Sequence, residues 1–169
     1  MATTSDVTLH ATKNDLPEAM RAEVVSLLNQ RLADAVDLQA QCRQAHWNVK
    51  GPDFIALHKL FDDVNESVGE YIDLLAERVV QLGGVAEGTV GVAAQRTTLI
   101  DYPLTITTGF EHCAALSDAL SQFGRQTRIG IEEMTELQDA GTADVLTEIS
   151  RGIDKWLWFV EAHLPHDRR

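Results

Sequence analysis

The chain has 169 residues and a mass of 18.7 kDa, one domain's worth and enough to bury roughly two-thirds of the unfolded surface around a single core. Its 44% apolar content excludes a disordered acidic tail. Its 26 Asp+Glu against 14 Lys+Arg, a formal net charge of −12, argue against nonspecific nucleic-acid binding, which needs a surplus of cations to neutralise phosphates.

In chain order, residues 1–15 read as a flexible N-terminal arm, 16–165 as one helical bundle and 166–169 as a short C-terminal tail. The first helix is expected from about Leu16 to Lys50, with Met20, Val24, Leu28, Ala35, Leu38, Cys42 and Ala45 on one stripe. Gly51-Pro52 ends it and opens the second, which follows Leu57, Phe61, Val64, Val68, Tyr71, Leu75 and Val79 until Gly83-Gly84. A crossover from Gly83 to Leu104 follows, with a short helix near Val92 to Thr97. The third helix is expected from about Thr105 to Leu137, bent near Gly124 to Gly130, and the fourth from about Thr142 to Leu164. The fold class is all-α: a four-helix bundle with one long crossover between helices two and three, which is ferritin-like connectivity.

Cys42 and Cys113 lie in apolar stretches without CxxC spacing, so they read as free buried thiols in a reducing compartment. With no secretory leader pattern and no transmembrane-length apolar run, the protein is expected to be soluble and cytoplasmic, with no membrane partner. HExxH, P-loop, GxSxG and Glu-x-x-His patterns are all absent, which leaves metalloprotease, nucleotide-hydrolase, serine-hydrolase and in-bundle di-iron readings without support.

The acids concentrate. Between Asp53 and Glu77 there are seven against one base, Lys59. On the second helix His58 pairs with Asp62, and Asp73 with Glu77, each at i,i+4 on one face. Asp62 and Asp73 are eleven residues apart, about three turns and roughly 16 Å along the axis, too far for one metal ion. Two copies of this helix packed antiparallel about a two-fold axis near Ser67 and Val68 would bring the His58/Asp62 end of one against the Asp73/Glu77 end of the other. His46, at the end of the first helix, joins the His58 end. Two imidazoles and three carboxylates make a mixed N/O set suited to iron, with Zn²⁺ able to compete.

The stretches HWNVKGPDFIALHKLFD (His46 to Asp62) and IDLLAERVVQLGGVA (Ile72 to Ala86) resemble the two signature segments of the Dps family of mini-ferritins, the DNA-binding proteins from starved cells. The resemblance extends to DKWLWFVEAHL and covers about residues 15 to 164. It implies an intersubunit ferroxidase site on His46, His58 and Asp62 of one subunit and Asp73 and Glu77 of its two-fold mate. It further implies a hollow homododecamer that oxidises Fe²⁺ to Fe³⁺ with hydrogen peroxide, or dioxygen, and stores the ferric mineral. Asp63 and Glu66 are placed as cavity acids that nucleate mineral, and by similarity Asp139 and Asp144 as acids of an iron entry pore. Trp47, beside His46, reads either as an oxidisable ring that intercepts stray oxidising equivalents or as a helix-end packing anchor.

Against the family's DNA-binding members, residues 1–17 carry Lys13 alone against Asp6 and Asp15, and Asp167 offsets the two terminal arginines. DNA binding is therefore expected to be weak or absent. The competing functions are a nucleoid-associated DNA-coating protein with incidental metal binding and a Zn²⁺ scaffold without turnover. Asp53 and Glu70 read as surface acids. His10, His112, His163 and His166 read as structural or exposed, with His163 open to a subunit contact, and of Trp156 and Trp158 one belongs in the core and the other at a subunit interface.

Overall fold

The computed structural model describes residues 7–165. It runs α1 (Glu18–Asn48), α2 (Phe54–Gln81), α3 (Val90–Arg96), α4 (Gly109–Glu136) and α5 (Ala140–Glu161), with no strand among the described residues. The fold is the expected all-α bundle, four long helices with a short one in the crossover. The expected tail at 166–169, with His166, and the first six residues of the arm lie outside the described residues.

α1 and α2 form a hairpin through a short turn. Val49 leaves α1 extended, and Gly51 takes φ of +118°, a conformation that favours glycine. Lys50 donates its backbone N–H to the Thr107 carbonyl at 2.9 Å, which fastens this turn to the start of α4. At the other end of α2, Gly83 has φ of +84°, and a Cβ there would come within 2.6 Å of the His10 carbonyl.

Of the arm expected over residues 1–15, the structure describes residues 7–15. From Val7 onward the segment is laid against the bundle: His10 N–H donates to the Gly83 carbonyl at 2.7 Å, and Val7 and Leu9 pack on the core. Apolar residues at positions 7 and 9 find buried surface there, which outweighs the entropy of a free chain over this stretch.

The crossover is held by a polar stripe on α1 that the apolar periodicity leaves unexplained. Asn29 pairs with the Val85 carbonyl and the Glu87 N–H, both at 3.0 Å. Further along, Gln30 donates to the Arg96 carbonyl, Asp37 accepts from the Thr97 hydroxyl and Gln41 donates to the Ile100 carbonyl. In the middle, fully buried Asp34 accepts from Thr98 N–H at 2.7 Å and pairs with Arg31 at 3.0 Å. Backbone groups that no helix satisfies are thereby satisfied from the flank of α1.

α4 starts at Gly109, not near Thr105, because Thr108 and Glu111 form a reciprocal capping box. It passes through Gly124 and Gly130 as one uninterrupted helix. A Cβ on Gly124 would meet Ile153 at 3.2 Å and one on Gly130 would meet Leu146 at 3.1 Å, so these glycines serve the close packing of α4 on α5. The core is one cluster through all four long helices, with Phe61, Phe123, Leu28, Leu75 and Leu120 at its centre. Trp156 belongs to it, whereas Trp158 is 66% exposed.

Candidate metal centre

The α1–α2 turn sets His46 and His58 face to face. Their rings stack with centroids 3.7 Å apart. His46 Nδ1 lies 2.8 Å from the His58 carbonyl, and His58 Nδ1 lies 2.8 Å from the His46 carbonyl. A carbonyl only accepts, so each Nδ1 carries the proton and donates. Each ring is thereby fixed in one tautomer with the Nε2 lone pair free to ligate, the arrangement metal-binding histidines commonly adopt. The reciprocal clamp uses only backbone oxygens at the ends of two helices.

Asp62, one turn beyond His58, places Oδ1 at 3.8 Å from His46 Nδ1 and 3.3 Å from Arg43 Nη1. Arg43 is a neighbour that ligand spacing did not single out. It lies on α1 one turn before His46, and this i,i+3 relation was the signal available for it. Its guanidinium holds the carboxylate on the His46 side. Asp73 and Glu77 lie far along α2 on the same stripe and are exposed.

The structure therefore brings together His46, His58 and Asp62 but keeps Asp73 and Glu77 apart from them. No group of three or more His, Cys, Asp or Glu able to hold a metal occurs among the described residues of one subunit. Trp47 is 68% exposed, which removes the packing-anchor reading within the subunit, and it lines a groove with Val36, Arg43, Asn65 and Val90. Asp63 and Glu66 are exposed on α2, and Asp144 is exposed on α5.

Asp139 is placed differently from the pore acid expected of it. It is 3% exposed, caps α5 by accepting from Thr142 N–H at 3.0 Å, and pairs with Arg78 at 2.9 Å. Helix-end geometry claims this carboxylate, so within the subunit it presents no free negative charge to an entering ion. Asp144 has the same Asp-x-x-Thr spacing, so the pattern by itself does not tell the cap from the exposed acid.

Behind the histidine clamp lies a second group, which ligand spacing also missed. His112, on the first turns of α4, is 1% exposed, and its Nδ1 is 2.6 Å from the Tyr102 hydroxyl. The Tyr102 and Phe61 rings flank it at centroid distances of 6.1 and 6.4 Å. Burial lowers the His112 pKa from its ordinary 6.5, against the Asn48 carbonyl and Glu111, which raise it. Burial likewise pushes the Cys42 thiol up to about 12 and the Cys113 thiol up to about 11, so both stay protonated and make poor metal ligands. Both cysteines are free and buried, as expected.

The His112 shift has a consequence for stability. A folded-state value below the unfolded 6.5 means that, as pH falls through 6.5, the unfolded chain takes up a proton before the folded chain does. Stability contributed by neutral His112 is present above that pH and falls below it. His112→Gln is expected to flatten the decline in melting temperature between about pH 6.5 and 5 relative to the unsubstituted protein. Parallel curves for the two proteins would show that His112 does not carry the effect.

Comparison with known proteins places most of the chain. The ferritin-like domain family matches residues 25–169. A DNA protection during starvation protein of Agrobacterium fabrum is 43% identical over 155 residues, covering 92% of this chain and 96% of that protein. The protein of the same name from Mycolicibacterium smegmatis is 35% identical over 149 residues, covering 88% and 81%. Among solved structures, the tetragonal form of Mycobacterium smegmatis Dps superposes with a TM-score of 0.89 at 33% identity, covering 94% of this chain and 96% of that one. DpsA14 from Streptomyces coelicolor superposes with a TM-score of 0.90 at 31% identity, covering 96% of each chain.

Proposed function

The chain belongs to the Dps family of ferritin-like proteins, and from that premise we propose that it is a ferroxidase that consumes Fe²⁺ and hydrogen peroxide together and stores the ferric product. The observation that carries this reading is the pair of tautomer-locked histidines beside Asp62, an incomplete and half-buried ligand set near the subunit surface. Asp73 and Glu77 of a second copy, brought over by a two-fold axis across α2, complete it. Two such sites then form per dimer, and dimers assemble into a homododecamer around a cavity.

Iron is the substrate here. Imidazole and carboxylate donors accept Fe²⁺ and favour Fe³⁺ more strongly as charge rises, while Zn²⁺ competes for the same donors without redox chemistry. Two Fe²⁺ ions side by side give one electron each, and peroxide takes both with two protons to form water, so no hydroxyl radical is released. Dioxygen is the slower oxidant. Asp63 and Glu66, on the exposed side of α2, would seed mineral inside the cavity, and Asp144, without Asp139, remains as the acid for an entry pore. Trp47 supplies an oxidisable ring beside His46.

The relatives' name invokes DNA protection. For this chain that protection is chemical, by removal of peroxide and iron in the cytoplasm, and not by coating. The net charge of −12 and an arm that is packed on the bundle from Val7 argue for that choice. Among the described residues no helix is long and apolar enough to cross a membrane.

The test is addition of peroxide to the assembled, Fe²⁺-loaded protein, with particle size followed in parallel. Fast oxidation at about two irons per peroxide, blocked by prior Zn²⁺ and yielding iron-filled particles of dodecamer size, is expected. DNA mixed with the same particles should migrate unshifted at about 0.15 M salt. Binding of metal without turnover, or retardation of DNA with no iron oxidation, would replace this reading by the scaffold or the DNA-coating one.

A further inference from the structure

A buried tyrosine hydroxyl 2.6 Å from a buried imidazole nitrogen has chemistry beyond packing. Tyr102 lies in the crossover after α3, and His112 projects from α4. Neither belongs to the ligand set, yet their position is behind it. Next to the His112 ring is Phe61, the residue before Asp62, and the Asn48 carbonyl acts on the imidazole from the last residue of α1, two beyond His46.

The tautomer follows from the surroundings. The Tyr102 hydroxyl has no other hydrogen-bond acceptor among the described residues, so it donates to Nδ1 and the His112 proton sits on Nε2, which is buried without a partner of its own. Nδ1 then keeps its lone pair and accepts from the Tyr102 hydroxyl. A donor and a base at this separation are within reach of direct proton transfer. Burial holds both neutral at rest: it raises the Tyr102 pKa, reinforced by Cys42 and Cys113, and lowers that of His112.

We propose that Tyr102 and His112 form a one-electron donor pair that completes the reduction of peroxide when only one Fe²⁺ occupies the adjacent site. This rests on the ferroxidase reading and adds a residue pair to it. Peroxide needs two electrons and two protons to become two waters. A single Fe²⁺ supplies one electron as it becomes Fe³⁺, and without a second donor the product is hydroxyl radical. Tyr102 supplies the other electron, and its phenolic proton moves to His112 Nδ1. The balance is one peroxide, one Fe²⁺, one tyrosine, one neutral histidine and two protons giving two waters, one Fe³⁺, a neutral tyrosyl radical and an imidazolium. The proton never has to enter the apolar surroundings unaccompanied, because an acceptor is already bonded to it. That distinguishes Tyr102 from Trp47, which is an exposed ring.

The chain has only two tyrosines, Tyr71 and Tyr102, which makes the assignment tractable. The assembled protein is loaded with one Fe²⁺ per site, mixed with peroxide, frozen within milliseconds and read by electron paramagnetic resonance, with iron oxidation followed in the same samples. The expected result is a tyrosyl radical that narrows when tyrosine is ring-deuterated, persists in Tyr71→Phe and Trp47→Phe, is lost in Tyr102→Phe, and is lost or much shorter-lived in His112→Gln. Ring deuteration together with Tyr71→Phe identifies Tyr102 even if Tyr102→Phe does not fold. A radical that survives Tyr102→Phe, disappears with Trp47→Phe or Tyr71→Phe, or never forms while iron is oxidised normally would overturn the proposal and leave the ferroxidase reading standing. Absence of iron oxidation would overturn both.

Discussion

His58→Ala, Asp62→Ala and Asp73→Ala are each expected to lower peroxide-driven iron oxidation at least about 100-fold, more than the 10- to 100-fold typical of losing a residue that merely supports a metal ligand. The cause is local for His58 and Asp62. Removing the His58 imidazole deletes one donor and the ring stacked at 3.7 Å on His46, while His46 Nδ1–H keeps the backbone carbonyl of residue 58 as its acceptor. Asp73→Ala makes a sharper case. Its side chain is exposed on α2 and is kept apart from the histidines within the subunit, so a monomer offers no reason for the substitution to matter. Under the shared-site account it is as damaging as His58→Ala. Stopped-flow absorbance of Fe³⁺ formation measures both. His58→Gln should not restore activity, since an amide provides neither the geometry nor the basicity of imidazole.

Asp34→Ala is expected to destabilise the protein by about 3–5 kcal/mol, the range for breaking a buried ion pair by removing one partner. Asp34 is fully buried and Arg31 is 7% exposed, and the pair is 3.0 Å apart. Without the carboxylate, the guanidinium keeps Gln126 as its one hydrogen-bond partner among the described residues, and Thr98 loses the acceptor for both its N–H and its hydroxyl. The crossover would then be released from α1 at its centre, between the Asn29 and Gln41 attachments. Burial raises the Asp34 pKa, while Thr98 and Arg31 lower it, so the ionised form depends on these partners. Asp34→Asn retains an oxygen for Thr98 N–H and should cost less, and Arg31→Met with Asp34→Leu should recover much of the loss. The denaturant midpoint of each variant decides. An Asp34→Ala protein within about 0.5 kcal/mol of the parent would show that the network contributes little.

These two predictions differ in how far the sequence foreshadows them. His58, Asp62, Asp73 and Glu77 stand on one helix at spacings of four and eleven, and helical geometry alone converts those numbers into a face and a distance. The helices themselves are legible for the same reason: α1, α2 and α5 begin and end within about three residues of the expected bounds, at Gly, Pro and cap residues. The Asp34 network is not legible. Arg31 stands at i,i+3 on the same helix, but Thr98 lies 64 residues further along the chain, and a polar residue amid apolar periodicity gives no indication of which distant backbone group it will meet.

The same limit explains the corrections. Asp139 and Asp144 differ in sequence only by position, and the capping demand of α5 takes one and not the other. Residues 7–15 are short of strong apolar pattern, so the docking of Val7 and Leu9 depends on a surface that exists only once the bundle has formed. Tyr102 and His112 are ten apart across a loop and a cap, where no helical register applies. The start of α4 was available locally, since Thr108-x-x-Glu111 is a capping box in the sequence itself.

The central claim is that each site is built from two subunits, and mixed reassembly measures it directly. His58→Ala and Asp73→Ala proteins, each inactive, are unfolded together in equal amounts and refolded, with mixed dimers verified by mass. In a mixed dimer one site carries both substitutions and the other carries neither. Random pairing should therefore restore about a quarter of the parent's peroxide-driven iron oxidation. Activity that stays at the level of the separate variants, in verified mixed dimers, would contradict a site shared across the two-fold axis.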